Sequence, residues 1–276
     1  MENKLYHWIF SQESPFDFDL QIFHQPLVYP LMDFHGSIHL NLILNSKMTG
    51  KVGNRVFCMK QYDFQVTAPW ELHGDNHVEK DLQIISITAD PDMLLGNLLD
   101  YRQKALTLFL MEPEERFRLL NTPATREVRI ACCSTLTTIT GDTPRILKIR
   151  RWFAIQEMLA ELLDKICDVE LPETSFQLYL KLSRASDLFK EGRHITIKEA
   201  ADACSLSVSR FSHLFRQIYR MSFSEYEMRT RLNRAAILLR QGISVKVAAA
   251  QEGFYDSSHF SKHFLRQFGI VPGKFR

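Results

Sequence analysis

Over its last third the chain carries one helix-forming pattern twice. The first copy runs Ala201-Asp202-Ala203-Cys204-Ser205-Leu206-Ser207 and then Arg210-Phe211-Ser212-His213-Leu214-Phe215. The second runs Ala249-Ala250-Gln251-Glu252-Gly253-Phe254 and then His259-Phe260-Ser261-Lys262-His263-Phe264. Ala201 and Ala249 are offset by 48 residues but Phe211 and Phe260 by 49, so the copies differ by one residue at the turn. A short helix, a turn and a second amphipathic helix, made twice, predict two helix-turn-helix units in tandem. The second helix of each is shaped to enter a stretch of DNA groove.

Local signals set the helix limits. Thr196-Ile197-Lys198-Glu199 and Ser222-Phe223-Ser224-Glu225 both match a capping box. Ser207, Ser244 and Asp256 or Ser257 are N-cap candidates for three more helices, and Gly242 closes a long helix that starts near Phe223. That connecting helix spans roughly 28 Å, close to one DNA turn of about 34 Å, so the two units can address successive major grooves. After Ser207, the residues Phe211, Leu214, Phe215 and Ile218 form an apolar face, and Ser209, Ser212, His213, Arg216 and Arg220 lie opposite. In the second copy Phe260, Phe264 and Phe268 turn inward, leaving Ser258, Ser261, Lys262 and Arg266 outward with His259 beside them. Short polar groups in the first turns suit base edges, and guanidiniums further along suit phosphates. On the connecting helix, Arg229, Arg231, Arg234 and Arg240 fit either phosphate contacts or salt bridges with neighbours such as Glu225 and Glu227.

Charge is divided in the same way. From Glu173 onward there are 17 Lys and Arg against 9 Asp and Glu, whereas residues 1–172 carry 17 against 23. A polyanionic partner is therefore expected for the C-terminal part alone. The five cysteines are odd in number and lack CxxC spacing, which argues against a disulfide framework and a zinc ribbon. No run approaches 18 apolar residues and the start resembles no secretion signal, so a cytoplasmic protein without a membrane partner is expected.

Residues 1–90 read as strands and turns, with β-rich runs at Ile38–Leu44 and Gln83–Thr88 and turn punctuation at Gly50, Gly53-Asn54, Pro69 and Gly74. From Pro91 the spacing becomes helical. A helix from about Pro144 to Cys167 carries apolar residues on more than one stripe, enough for its own domain and for a second subunit. Asp168 to Ser175 is polar, contains Pro172 and reads as a linker. The expected fold class is α+β: a β-barrel with following helices over residues 1–170, and an all-α domain over 171–276 whose two helix-turn-helix motifs are joined by a long helix.

The sequence Gly253-Phe254, Ser257-Ser258-His259-Phe260-Ser261, Phe264, Phe268-Gly269, Pro272 and Phe275-Arg276 resembles the signature of AraC/XylS-type transcriptional regulators. Ala201, Leu206-Ser207, Phe215, Arg231-Leu232-Asn233-Arg234-Ala235 and Leu238-Leu239 resemble the same family, so the likeness covers about residues 176–276. It implies base contacts by Ser209, Arg210, Ser212 and His213 and by Ser258, His259, Ser261 and Lys262. The implied phosphate contacts are Ser207, Arg216, Arg220, Ser257 and Arg266. Double-stranded promoter DNA, RNA polymerase and a second copy of the chain are the implied partners, and activation is the implied direction of control. Three positions depart from the pattern: Ser205 and Arg220 stand where Gly is common, and Phe275 where Tyr is common.

Asp33 to His39 and Asp63 to His73 resemble the two half-motifs of a cupin barrel. His35, His39 and His73 suit a metal, a structural role or a polar organic ligand. The carboxylate that catalytic cupins add is absent, Asn41 and Asn45 standing in that region. The preferred reading is an effector pocket of His35, His39, Trp70 and His73 with no metal and no cofactor, Trp70 favouring a sugar or similar polyol. Residues 1–170 would then sense the effector and dimerise through the helix near 144–167, and effector binding would shift the disposition of the DNA-binding domains. Two alternatives stand: a metal-dependent cupin enzyme with an accessory helical domain, and a constitutive architectural DNA binder.

Overall fold

The computed structural model describes residues 16–26, 31–33, 35–53, 55–141, 143–166 and 194–275, with scattered positions between 178 and 188. The expected linker at 168–175 lies outside the described residues. Two compact units emerge: one holds Gly36–Leu171 with β1, the other holds Pro172–Arg276 with the short segment Leu31–His35.

The first unit is built on antiparallel strands β1 (Phe16–Phe23), β3 (Ile38–Ile43), β4 (Lys47–Val52), β5 (Arg55–Lys60), β6 (Phe64–Thr67), β7 (His73–Val78) and β8 (Leu82–Ala89). The strand β2 (Leu31–Asp33) falls in the segment grouped with the other unit. One sheet has the order β1-β8-β3-β6, and a second runs β7-β4-β5 within this unit. Register decides what each face carries, because alternate residues point to opposite sides. Leu40 pairs with Ile87 and Val66, and Leu42 with Ile85 and Phe64, giving one wholly apolar face. His39 pairs with Thr88 and Thr67, and Asn41 with Ser86 and Gln65, giving a polar row on the other.

The expectation of a barrel is met by its strands but not by ring closure: the described strands form two sheets. The edge strand β6 is finished by a side chain instead of a neighbouring strand. Asn121 accepts from the Phe64 N–H at 2.8 Å and donates to the Phe64 carbonyl at 2.9 Å. Both ladder groups of Phe64 are thereby satisfied, which blunts an edge that would otherwise invite pairing.

Five helices follow: α1 (Pro91–Gly96), α2 (Arg102–Leu110), α3 (Pro113–Leu120), α4 (Arg126–Thr138) and α5 (Pro144–Lys165). Two buried arginines tie them to the strand turns. Arg116 is 1% exposed, pairs with Glu71 and donates to the carbonyls of Leu108 and Phe109. Arg129 donates to the carbonyls of Tyr62 and Thr122 and meets Asp63 at 3.4 Å. Removing one partner of such a buried pair costs about 3–5 kcal/mol, because a charge is left without compensation. Helix α5 starts on the Thr143 hydroxyl, which accepts from the Ile146 N–H. Its later half is buried through Ile155, Met158, Leu159, Leu162 and Leu163, whereas Ile146, Ile149 and Phe153 are exposed, Phe153 to 66%. The second apolar stripe read from the sequence is thus a bare face of its first half.

The second unit contains α6 (Ile197–Ala203), α7 (Val208–Tyr219), α8 (Phe223–Arg240), α9 (Val245–Gln251) and α10 (Ser257–Phe268). Thr196 and Glu199 form the full capping box expected of them. Ser222 supplies only its hydroxyl half, because the Glu225 carboxylate turns to Arg229, four residues on, at 2.6 Å. Ser207, Ser244 and Asp256 cap α7, α9 and α10, so at the last helix it is Asp256 that caps and not Ser257. Each helix-turn-helix has its own aromatic core. In the first, Phe215 packs edge-on to Phe223 and Tyr226. In the second, Phe264 packs on Phe260, Phe268 and Phe275. Phe275 therefore fills the position where Tyr is common as a core residue, which needs no hydroxyl.

Candidate nucleic-acid interface and sensor face

The two turns are superposable in their hydrogen bonds until one residue. Ser205 N–H donates to Asp202 O as Gly253 does to Ala250 O, and Leu206 N–H to Ala201 O as Phe254 does to Ala249 O. The next residue of the first turn is the cap Ser207, but in the second turn Tyr255 intervenes before the cap Asp256. The offset between the copies is thus a single inserted tyrosine. Two further equivalences concern left-handed backbone: Ser205 and Gly253 have φ 52° and 69°, and Arg220 and Gly269 have φ 56° and 70°. The departures read from the sequence therefore fall where glycine would relieve strain.

On α7, Phe211, Leu214 and Phe215 are buried, while Ser207, Ser209, Arg210, His213, Arg216 and Arg220 are exposed and Ser212 is half-buried. The Ser212 hydroxyl donates to Val208 O at 2.7 Å, so toward a base it is left as an acceptor. On α10, Phe260, Phe264 and Phe268 are buried, while Ser257, Ser258, His259, Lys262 and Arg266 are exposed and Ser261 is half-buried. His263 holds the position of Leu214 in the first copy, its ring 4.5 Å from that of His259. Desolvation first, then His259, Arg266 and Lys262, hold its imidazole below the ordinary histidine value.

The connecting helix α8 resolves the alternatives for its arginines in favour of internal partners. Arg229 pairs with Glu225, and Arg234 donates to the Glu252 carboxylate at 2.8 Å. Arg240 lies over the Phe275 ring. Arg231 donates to the Glu252 carbonyl at 2.6 Å, sits 4.2 Å from the centroid of Phe254 and meets the buried Glu227 at 3.6 Å. Glu227 also bonds His194, ahead of α6, at 2.5 Å. One chain of polar contacts therefore runs from His194, ahead of α6, across α8 to the turn of the second helix-turn-helix. Burial raises the Glu252 carboxyl above the usual carboxylate range against the pull of Arg234 and Arg231.

In the first unit the polar row of the sheet faces inward. A Cβ on Gly50, in the opposite sheet, would lie 2.8 Å from Met59 Cε and 3.5 Å from Gln65 Oε1, so Gly50 leaves room above Gln65. Asn41, Gln65, Thr67, His73 and Thr88 are all buried. At the other end of the same face, Ile43 and Ile84 join Phe23, Met48, Val52, Phe57, Met59, Val78 and Leu82 in an apolar plug. His39 Nε2 bonds Ser86 Oγ at 2.7 Å, and that hydroxyl donates to Asn41 Oδ1 at 2.9 Å. The Glu71 carbonyl accepts from His73 Nδ1 at 2.8 Å, turning Nε2 toward His39 Nδ1 at 3.1 Å. The two ring nitrogens thus face each other within hydrogen-bonding distance, and the tautomer decides which of them donates.

Of the four effector residues expected from sequence, His39 and His73 meet within the first unit. His35 is half-buried and belongs to the segment grouped with the other unit. Trp70 is half-buried in a left-handed turn conformation, φ 66°, and its ring lies against Gly36, where any Cβ would fall 2.5 Å from Cζ2. Sequence reasoning missed Asn41, Gln65, Thr67, Ser86 and Thr88 as members of the row. The alternation of β3 puts Asn41 on the face of His39, but the others follow only from ladder register.

Among known proteins, a helix-turn-helix domain family matches residues 200–276. The Msm operon regulatory protein of Streptococcus mutans is 28% identical over 125 residues, 44% of this chain and 45% of its own length. The HTH-type transcriptional activator RhaR of Mannheimia succiniciproducens is 31% identical over 127 residues, again 44% and 45%. The matched stretch thus spans under half the length of these relatives. Both are named as regulators and neither as an enzyme. In fold, the chain is similar to ToxT of Vibrio cholerae with bound unsaturated fatty acid, at TM-score 0.57 and 11% identity over 97% of this chain and 96% of that one.

Proposed function

We infer, for a chain that belongs to the AraC/XylS-type transcriptional regulators by its C-terminal domain, that it binds promoter DNA and answers to a small hydroxylated effector. The observation that carries this reading is the pair of helices α7 and α10. Each is anchored by buried phenylalanines and bares short polar side chains at its N-terminal turns, joined by a helix of 18 residues, about 27 Å long. Ser209, Arg210, Ser212 and His213 meet base edges in one groove segment, and Ser258, His259, Ser261 and Lys262 meet them in the next. Ser207, Arg216, Arg220, Ser257 and Arg266 meet phosphates. Because the two faces differ, one subunit recognises a site with a direction.

The effector is a neutral polyol such as a sugar, held among His39, Asn41, Gln65, Thr67, His73, Ser86 and Thr88. That row offers hydroxyls, amides and imidazoles but no lysine or arginine, which favours a hydroxylated molecule over a fatty acid of the kind bound to ToxT. Ile146, Ile149 and Phe153 on α5 supply the dimer contact, which raises occupancy of a double site through effective concentration. Activation through RNA polymerase completes the reading. The test has two arms. Selection from a random-sequence duplex pool is expected to enrich an asymmetric element, and failure to enrich any duplex overturns the DNA assignment. A thermal-shift screen against a carbohydrate panel is expected to give a stabilising sugar. A screen that leaves the melting temperature unmoved, with DNA binding intact, favours a constitutive architectural binder.

A further inference from the structure

The inserted residue of the second turn stands out from the other exposed large hydrophobic side chains among the described residues, of which the next is Phe153 at 66%. Tyr255 is 100% exposed. It has no counterpart in the first turn, whose backbone bonds match the second on both sides of it. An aromatic of this size gains nothing from packing when it is wholly in water, so neither the turn nor the core explains it.

Its base, however, is fixed. Phe254, immediately before it, is buried against Phe260 at 5.0 Å and under the Arg231 guanidinium at 4.2 Å. Asp256, immediately after it, caps α10 by accepting from His259 N–H at 2.7 Å. The tyrosine is therefore a bare side chain on an immobilised backbone, with little ordering left to be lost on contact. It also opens a continuous exposed edge, since Tyr255, Asp256, Ser257, Ser258 and His259 are all exposed. That edge leads directly into the first turn of α10, the part of the helix that the proposed function sends into the groove.

We propose that Tyr255 is a DNA-backbone contact of the second helix-turn-helix, its phenol donating to a phosphate oxygen at the rim of the groove entered by α10. The inference rests on the DNA-binding reading given above. A phenol carries a donor and no charge, so it adds affinity without releasing a counterion and without reading a base. The second unit thus has a neutral anchor that the first lacks, and the insertion is what places it there.

The test uses the full chain and a duplex that the wild-type chain enriches from a random pool, with binding followed over a salt titration. Tyr255→Phe is expected to weaken binding about threefold and Tyr255→Ala about tenfold, the span of one hydrogen bond with its contact area. Neither should alter the salt slope or the preferred sequence, whereas Arg216→Ala should flatten the slope. Because the side chain is fully exposed, the melting temperature of both variants should match wild type. Wild-type affinity in Tyr255→Ala, with the duplex still bound, overturns this proposal and leaves the DNA reading standing. Retained affinity with lost transcription from a reporter bearing the selected element overturns it in favour of a protein contact. If no duplex is enriched, both fall.

Discussion

Ser205 and Gly253 occupy the same place in the two turns, and both hold left-handed backbone, at φ 52° and 69°. Arg220 and Gly269 repeat the relationship at the ends of α7 and α10, at φ 56° and 70°. A side chain in this region costs roughly 1–2 kcal/mol, part of which glycine returns through its freer unfolded chain. Ser205→Gly and Arg220→Gly are each expected to stabilise the protein by about 0.5–1 kcal/mol in urea unfolding. Arg220→Gly should do so while weakening DNA binding, since the proposed phosphate contact goes with the side chain. Loss of stability in both variants would show that the two turns differ in more than strain.

Arg231 holds the second turn to the connecting helix through Glu252, Phe254 and Glu227. Arg231→Ala is expected to cost about 3–5 kcal/mol, because Glu227 stays buried with one partner fewer. Hydrogen exchange at Glu252 to Phe254 should quicken well before exchange in α7. Equal quickening in both helix-turn-helix units would indicate that Arg231 supports the unit as a whole and not that turn.

His213→Ala and Lys262→Ala are each expected to cost about 1–3 kcal/mol on the selected duplex and to relax sequence preference at separate positions. Arg216→Ala should weaken all duplexes alike and lower the salt slope by about one. Uniform losses from all three across sequences would show that the reading faces are misassigned.

His263 is held below the ordinary histidine value by desolvation and by His259, Arg266 and Lys262. The unfolded chain then takes up a proton at a higher pH than the folded one does. Stability is therefore full above about pH 6.5 and falls as pH drops through the ordinary value toward the depressed one. His263→Leu, which copies Leu214 of the first unit, should remove that fraction of the loss. Thermal unfolding of the two proteins from about pH 7.5 to 5.5 measures it, and parallel curves would rule the residue out.

The helical half was legible because its signals are local. Thr196, Ser207, Ser244 and Asp256 cap the helices they precede. The phenylalanine spacing of α7 and α10 defines the buried face within a single helix. Where two local partners compete, the sequence misleads: Glu225 completes a capping motif on paper and pairs with Arg229 in the structure. The sensor half was legible only as strands with histidines. His39 and His73 come together, but Gln65, Ser86 and Thr88 join Asn41 and His39 through pairings between residues far apart in the chain, such as His39 with Thr88, and no spacing within one strand encodes those. Trp70 carries the right chemistry for a sugar platform, yet its visible role is to cover Gly36.

The bond pair between Asn121 and Phe64 has a mechanical meaning. Strand β6 carries Gln65 and Thr67, pairs with β3 on one side and on the other is hydrogen-bonded by Asn121 at the end of α3, the helix that packs on it. A strand tied at both ladder groups of one residue resists sliding along its axis, so a push on Gln65 or Thr67 is expected to find little slack. The expected path for such a push leads to the corner at Asn121 and Thr122. Arg129 grips that corner from α4, the helix that packs along α5. The open sandwich is in this sense a lever with a fixed pivot, and a closed ring of strands would have spread the same push around its circumference.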